Sequence, residues 1–215
     1  MPATNTPSPS VADLQERYTD LERRIHALWP AHFRDACSRC TRICCRPHMF
    51  EDILSSDWLC DIGEKAYGPW WQTRTQANTL CPALDEDGCI LAVGKHPFCR
   101  YFSCDMLLDA SPDGPTLIAD LFLSGILIQV CRIKKGASLL QIPRHDFARY
   151  ARDIDAALTR GETEIRLCEA FSRTADPNDR ERLALRMVAL RPAAITPSAT
   201  AQLAKRGFFS AEINR

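Results

Sequence analysis

The sequence predicts a mostly α-helical protein in which an irregular cysteine module packs against a small helical bundle. Three observations predict it. Apolar residues recur at spacings of three and four near the N-terminus and again through the C-terminal half, the period of a helix with one buried face. Nine of the eleven cysteines fall between Cys37 and Cys104, in a stretch punctuated by Gly63, Gly68, Pro69, Pro82, Gly88, Gly94 and Pro97. That is turn chemistry rather than long regular structure. We find no convincing pair of strands and no internal repeat.

The elements follow in order. Residues 1–10 read as a polar, disordered tail. Residues 11–36 form an N-terminal helix: Val11, Leu14, Tyr18, Leu21, Ile25 and Leu28 share one face, Asp13 and Glu16 suit the positive end of the helix dipole, and Pro30 ends or bends it. Residues 37–104 are the cysteine module, with short helices at 50–60 and 69–78. Residues 105–215 are the helical part. There Ser111-Pro112-Asp113-Gly114-Pro115 is a turn, and a long apolar helix follows at 116–133. Pro143 opens a helix to about Thr159 with Gly161 as its stop, and Glu162 to Ser172 continues as helix. Asp176-Pro177 opens a helix at 177–190, and Thr196-Pro197 repeats that device. The 116–133 helix is the surface on which the cysteine module packs.

Composition bounds the function. The chain has 215 residues, 46% hydrophobic and 25% charged, enough for one domain or a small domain joined to a second. The net charge is zero and the pI is near 6.9, so no large basic face and no nucleic-acid partner are expected. The first ten residues carry neither a basic run nor an apolar run, so no secretory signal is read there. The apolar run Leu117–Cys131 is interrupted by Asp120 and Gln129 and reads as a buried helix rather than a membrane span. The expected location is cytoplasmic, and a protein partner stays open.

In a reducing compartment crowded thiols favour metal over disulfides. Cys37-x2-Cys40 has the spacing of a metal knuckle, in which one tight turn aims two sulfurs at one ion. Cys44 and Cys45 are adjacent, and consecutive side chains diverge, so one of them is expected to serve a second site, a bridging position or a structural role. Cys81 and Cys89 flank the Asp87-Gly88 turn, which brings them together. Cys99 and Cys104 complete a set of eight, enough for one four-cysteine site with spare thiols or for two such sites. A module this irregular buries little apolar area, and a metal supplies the missing cross-links.

The order C-x2-C-x3-CC, C-P-x-L, D-G-C and P-x-C-R-x-F-x-C resembles the YkgJ-type cysteine-cluster family, described as zinc- or iron-chelating proteins. The residues that carry the resemblance are Cys37, Cys40, Cys44, Cys45, Cys81, Cys89, Cys99 and Cys104, with Pro82, Leu84, Gly88, Pro97, Arg100 and Phe102 as framework. The resemblance is confined to 37–104. It departs from the family at two points: three residues separate Cys40 from Cys44 where the signature has two, and His96-Pro97 stands where the signature has Arg-Pro. The cluster is also similar to that of bacterial flagellin lysine methylases, which leaves an enzymatic role open without fixing one.

Zinc sites in small domains usually show two separated C-x2-C knuckles, and this chain has one. Iron–sulfur clusters accept irregular spacing and all-thiolate ligation. An iron–sulfur cluster is therefore the first expectation and zinc the second. Cys37-x2-Cys40-x3-Cys44 reverses the cysteine order of radical S-adenosylmethionine enzymes, so that chemistry is not expected. No phosphate-binding glycine loop, G-x-S-x-G elbow or H-E-x-x-H motif occurs. His48 and His96 lie near motif cysteines and are candidate ligands, although a solvated or hydrogen-bonded role is the commoner one. Arg100, Arg39, Arg42 and Arg46 are candidates to offset thiolate charge. Cys131 and Cys168 read as core thiols, Cys60 is unassigned, and Trp70-Trp71 reads as packing. His145-Asp146 reads as helix N-terminal chemistry. Three functions fit: a metal-cluster protein active in catalysis or electron transfer, a zinc-stabilised partner-binding module, and a metal chaperone or store.

Overall fold

The computed structural model describes residues 8–38, 47–68, 81–85, 88–101, 104–133, 136–190 and 203–206. The expected helix at 69–78, Trp70-Trp71, the tail up to residue 7 and the helix after Thr196-Pro197 (apart from the turn at 203–206) lie outside them. The described chain is mostly helical.

Helix α1 (Val11–Ala27) starts where Ser10 caps it, its hydroxyl accepting from the Asp13 amide at 3.2 Å. Leu14, Tyr18, Leu21 and Ile25 form its buried stripe. The helix stops before Pro30, and α2 (Ala31–Ser38) restarts directly after it, so the proline divides the expected 11–36 helix in two. One helix was expected at 50–60. Two are found, α3 (Pro47–Ser55) and α4 (Asp57–Tyr67), because the buried Ser56 hydroxyl accepts from the Leu59 amide and opens a new helix. Gly68 ends α4 at φ 61°. The pair β1 (Leu84–Asp85) and β2 (Gly88–Cys89) is antiparallel, a minimal ladder that the sequence reading left out. Helices α5 (Pro97–Arg100) and α6 (Asp105–Ala110) are short.

Helix α7 (Gly114–Cys131) is capped by Asp113, whose carboxylate accepts from the Thr116 amide at 2.7 Å. It is long and apolar enough to cross a membrane by length and composition, and here it is buried on nearly every face inside the protein. A helix without a polar face must be surrounded. Helices α5, α8 (Phe147–Arg173) and α9 (Pro177–Leu190) pack on α7, and α1 packs on α8 while touching α7. Trp58 of α4 joins the parts, its ring edge-on to Tyr18 at 5.9 Å and to Phe147 at 5.2 Å. Residues from both sides of position 105 thus share one core.

At the rim, Arg17 of α1 pairs with Asp155 and with Glu162 of α8, and Arg24 pairs with Glu169 at 2.8 Å. These partly exposed pairs orient the two helices more than they stabilise them. Arg180 of α9 lies 4.0 Å over the Phe171 ring and donates to the Thr116 hydroxyl at 2.8 Å, which fastens α9 to both α8 and α7.

The expected stop at Gly161 is overturned: α8 runs through it without interruption. A Cβ there would stand 2.5 Å from Val130 Cγ2 and 2.9 Å from Leu21 Cδ2. Gly161 is thus the point of closest approach among α8, α7 and α1, and the missing side chain serves packing rather than termination. Gly161→Val should lower unfolding stability by about 3 kcal/mol through overpacking. Urea denaturation measures this, and an unchanged midpoint would mean that the three helices can part without cost.

Candidate metal centre

Of the eight expected ligands, Cys40, Cys44 and Cys45 lie outside the described residues. Cys37 lies in α2, one helical turn beyond Phe33. Phe33 and Leu107 form a small second core with Trp29, Ala110 and Cys104 around them. Cys104 is the N-cap of α6, and its side chain makes no capping bond. The packing of α2 on α6 therefore brings the helix that bears Cys37 against the helix that begins at Cys104.

The other described cysteines come from the hairpin and α5. Leu84 pairs with Cys89 and Asp85 with Gly88, and the Ile90 amide donates to the Ala83 carbonyl at 2.9 Å. That ladder folds the chain back on itself between Cys81 and Cys89. Burial pushes the Cys81 thiol up, and the neighbouring Cys89 pushes it further. The nearby Ala83 backbone N–H and the Lys95 charge pull the other way. Cys99 sits in α5, whose N-cap is His96. Among the described residues no three His, Cys, Asp or Glu side chains converge as a metal site. The structure therefore brings Cys81 and Cys89 together, and neither Cys99 nor Cys104 joins them in a group of three. Two half-buried thiols on one hairpin fit a thiolate-bound metal as half of a ligand set.

His96 is a cap. It is buried, its Nδ1 accepts from the Phe98 amide at 3.3 Å, and burial lowers its pKa. The cap therefore commits the Nδ1 lone pair to the backbone of α5. His48 is exposed on α3. Arg100 turns inward: it is 3% exposed, and its Nη2 donates to the Ala92 carbonyl at 2.6 Å. Cys131 is a core thiol, pushed up to about 12 by burial and facing the Tyr18 hydroxyl at 3.8 Å. Cys168 is buried as well.

The segment between Cys89 and Cys99 is held by side chains that the sequence reading did not single out. Glu22 of α1, fully buried, accepts from the Gly94 amide at 2.6 Å and the Lys95 amide at 3.2 Å. The Tyr67 hydroxyl accepts from the Val93 amide and donates to the Val93 carbonyl, both at 3.0 Å. Gly94 takes φ 67° and lies against the backbone of Gly63. One signal was available: Glu22 interrupts the apolar stripe of α1 beside Leu21, one turn from Tyr18 and Ile25. Comparison with known protein families, curated proteins and solved structures returned no match.

Burial raises the Glu22 carboxyl to about 7 from an ordinary 4.5, against the opposing charge of Arg100 and the two amide donors. The folded chain thus keeps a proton that the unfolded chain releases near 4.5. The stabilisation is complete below that pH and is lost as pH rises through about 7. From pH 5 to pH 7.5, wild type should lose about 2 kcal/mol relative to Glu22→Gln. Denaturation midpoints of the two proteins at both pH values measure this, and a constant difference would refute the assignment.

Proposed function

We propose that this is a metal-binding cysteine-cluster protein, with the metal held by thiolates from residues 37–104. The observation that carries the reading is the hairpin pair: Cys81 just before β1 and Cys89 in β2 are both half-buried, and each thiol lies within the other's electrostatic reach. The remaining ligands in this reading come from Cys37, Cys40, Cys44, Cys45, Cys99 and Cys104. The seam of α2 and α6, which holds Cys104 and leads into the Cys37–Cys45 run, supports that choice.

An iron–sulfur cluster comes first and zinc second, on the all-cysteine, irregularly spaced donor set. A cluster would supply electron transfer or serve a modifying reaction, whereas zinc would supply cross-links to a partner-binding or metal-carrying module. The protein's own part is the same in each case. It holds the thiols near one another, shields them partly from water, and releases their protons as the metal enters. The reading places the chain in a reducing, cytoplasmic setting.

Protein purified without oxygen should contain iron with matching acid-labile sulfide and broad visible absorption, or stoichiometric zinc without colour. Cys81→Ala and Cys89→Ala should each lower metal content at least several-fold, while Cys168→Ala should keep it. Elemental analysis with a visible spectrum reads all of these, and a wild-type chain free of both metals sinks the proposal.

A further inference from the structure

The chain has two cores, and they are separate. Phe33 of α2 and Leu107 of α6 form the smaller one, with Trp29, Cys104 and Ala110 packed around them, and none of these five belongs to the main core. The two sides of that seam are held differently. Helix α6 is fastened to the body: Leu108 is fully buried in the main core, and the Arg206 guanidinium donates to the Leu108 carbonyl at 2.9 Å and to the Ser111 carbonyl. Helix α2 follows α1 across residues 28–30 and buries Phe33 in the seam. A helix of eight residues does not hold itself in water, so α2 depends on what it docks against.

A polar contact closes α2 onto the body. His32 Nε2 lies 2.9 Å from Asp120 Oδ2 on α7, and the Ser111 hydroxyl donates to the same oxygen at 2.7 Å. A carboxylate only accepts, so the ring is the donor. Asp120 and Ser111 are buried, whereas the His32 side chain keeps 28% of its surface exposed. The contact therefore sits at the edge of the body. Breaking it leaves Asp120 its bond to Ser111, so the buried carboxylate is not stranded when α2 moves away.

We propose that α2 is a hinged flap over Cys104, latched by His32 on Asp120, which opens separately from the main core and sets the access of reagents and metal to that thiol. Cys104 begins α6 with a side chain that makes no capping bond; it is half-buried and packs on the Phe33–Leu107 pair. Withdrawing Phe33 uncovers one side of it. Opening gives up the burial of one phenylalanine and one hydrogen bond to a carboxylate, and the main core stays closed. That is a local opening, of lower cost than unfolding the chain. The link at residues 28–30, between the end of α1 and the start of α2, is where a hinge absorbs the change. The purpose of the flap, admission of metal, rests on the metal-binding reading above, and its motion does not.

The test uses the full metal-free chain under native conditions, with hydrogen exchange and thiol labelling of Cys104 both read by mass spectrometry. In wild type the amides of α2 should exchange at least ten-fold faster than those of the buried stripe of α1. His32→Ala should speed both α2 exchange and Cys104 labelling about ten-fold, as expected for a lost bond to a carboxylate, and leave α7 and α8 unchanged. His32→Gln, which keeps an N–H donor, should stay closer to wild type than His32→Ala on both readouts. Exchange of α2 and α1 at one common rate in wild type overturns the proposal without any variant. So does a His32→Ala chain in which α7 and α8 speed up as much as α2, or in which Cys104 labelling does not change. Zinc(II) uptake, followed against a chromophoric chelator, separates the two readings: a chain that takes up no zinc while α2 and Cys104 behave as described overturns the metal-binding reading alone.

Discussion

Burying α7 on nearly every side requires neighbours around it, and most of the architecture follows from supplying them. An apolar helix left half-wrapped would expose a face of Leu, Ile and Phe to water, at a cost of roughly 25 cal/mol for each Å². Helices α5, α8 and α9 close that surface. The wrapping sets the distances: Gly161 lets α8 approach until only a bare Cα fits between Val130 and Leu21. It also sets the place of the cysteines. Cys99 is carried by a four-residue helix seated on α7, and the segment between the hairpin and that helix is hung from α1 and α4.

The second constraint is polar. Glu22, Tyr67 and Arg100 are expensive residues to put inside a protein unless their polar atoms find partners, and Arg100 Nε is the one that finds none among the described residues. Their partners are backbone groups of one short irregular stretch, 92–95, which has no ladder or helix of its own to satisfy it. Side chains from three helices thus substitute for secondary structure. The balance is not neutral: burial overcomes the favourable contacts of Glu22 enough to leave its carboxyl holding a proton into the neutral range. The segment that bears Lys95 is accordingly held by geometry more than by charge.

Much of the fold was legible in the sequence because its signals are local. The buried stripe of α1, the break at Pro30, the apolar span of α7 and the Asp176-Pro177 start of α9 each rest on residues within one or two turns of one another. What escaped the reading is non-local. Gly161 carries the ordinary mark of a helix stop, and only the approach of Val130 and Leu21 reveals its purpose. Ser56 divides α3 from α4 through one capping bond inside an otherwise continuous apolar pattern. The candidate site divides the same way. Cys81 and Cys89 were placed together from the Asp87-Gly88 turn between them, whereas the residues that hold the segment 92–95 depend on contacts up to 73 positions apart. Arg100 shows the hazard of adjacency: it follows Cys99 in sequence and points away into the core.

The clasp between Glu22 and Gly94 joins positions 72 apart, and it gives assembly an order. During synthesis α1 is complete long before the segment it fastens has been made. Until then Glu22 belongs to a solvated helix with its carboxylate ionised and its apolar stripe uncovered. Closing so long a loop comes late in folding, after the contacts that form locally. Cysteines that emerge in the interval are held only by their nearest neighbours in sequence. The docking of the N-terminal helix is therefore the event that fixes the segment between Cys89 and Cys99, and a nascent chain stalled before it would leave those two thiols without the frame that the folded chain gives them.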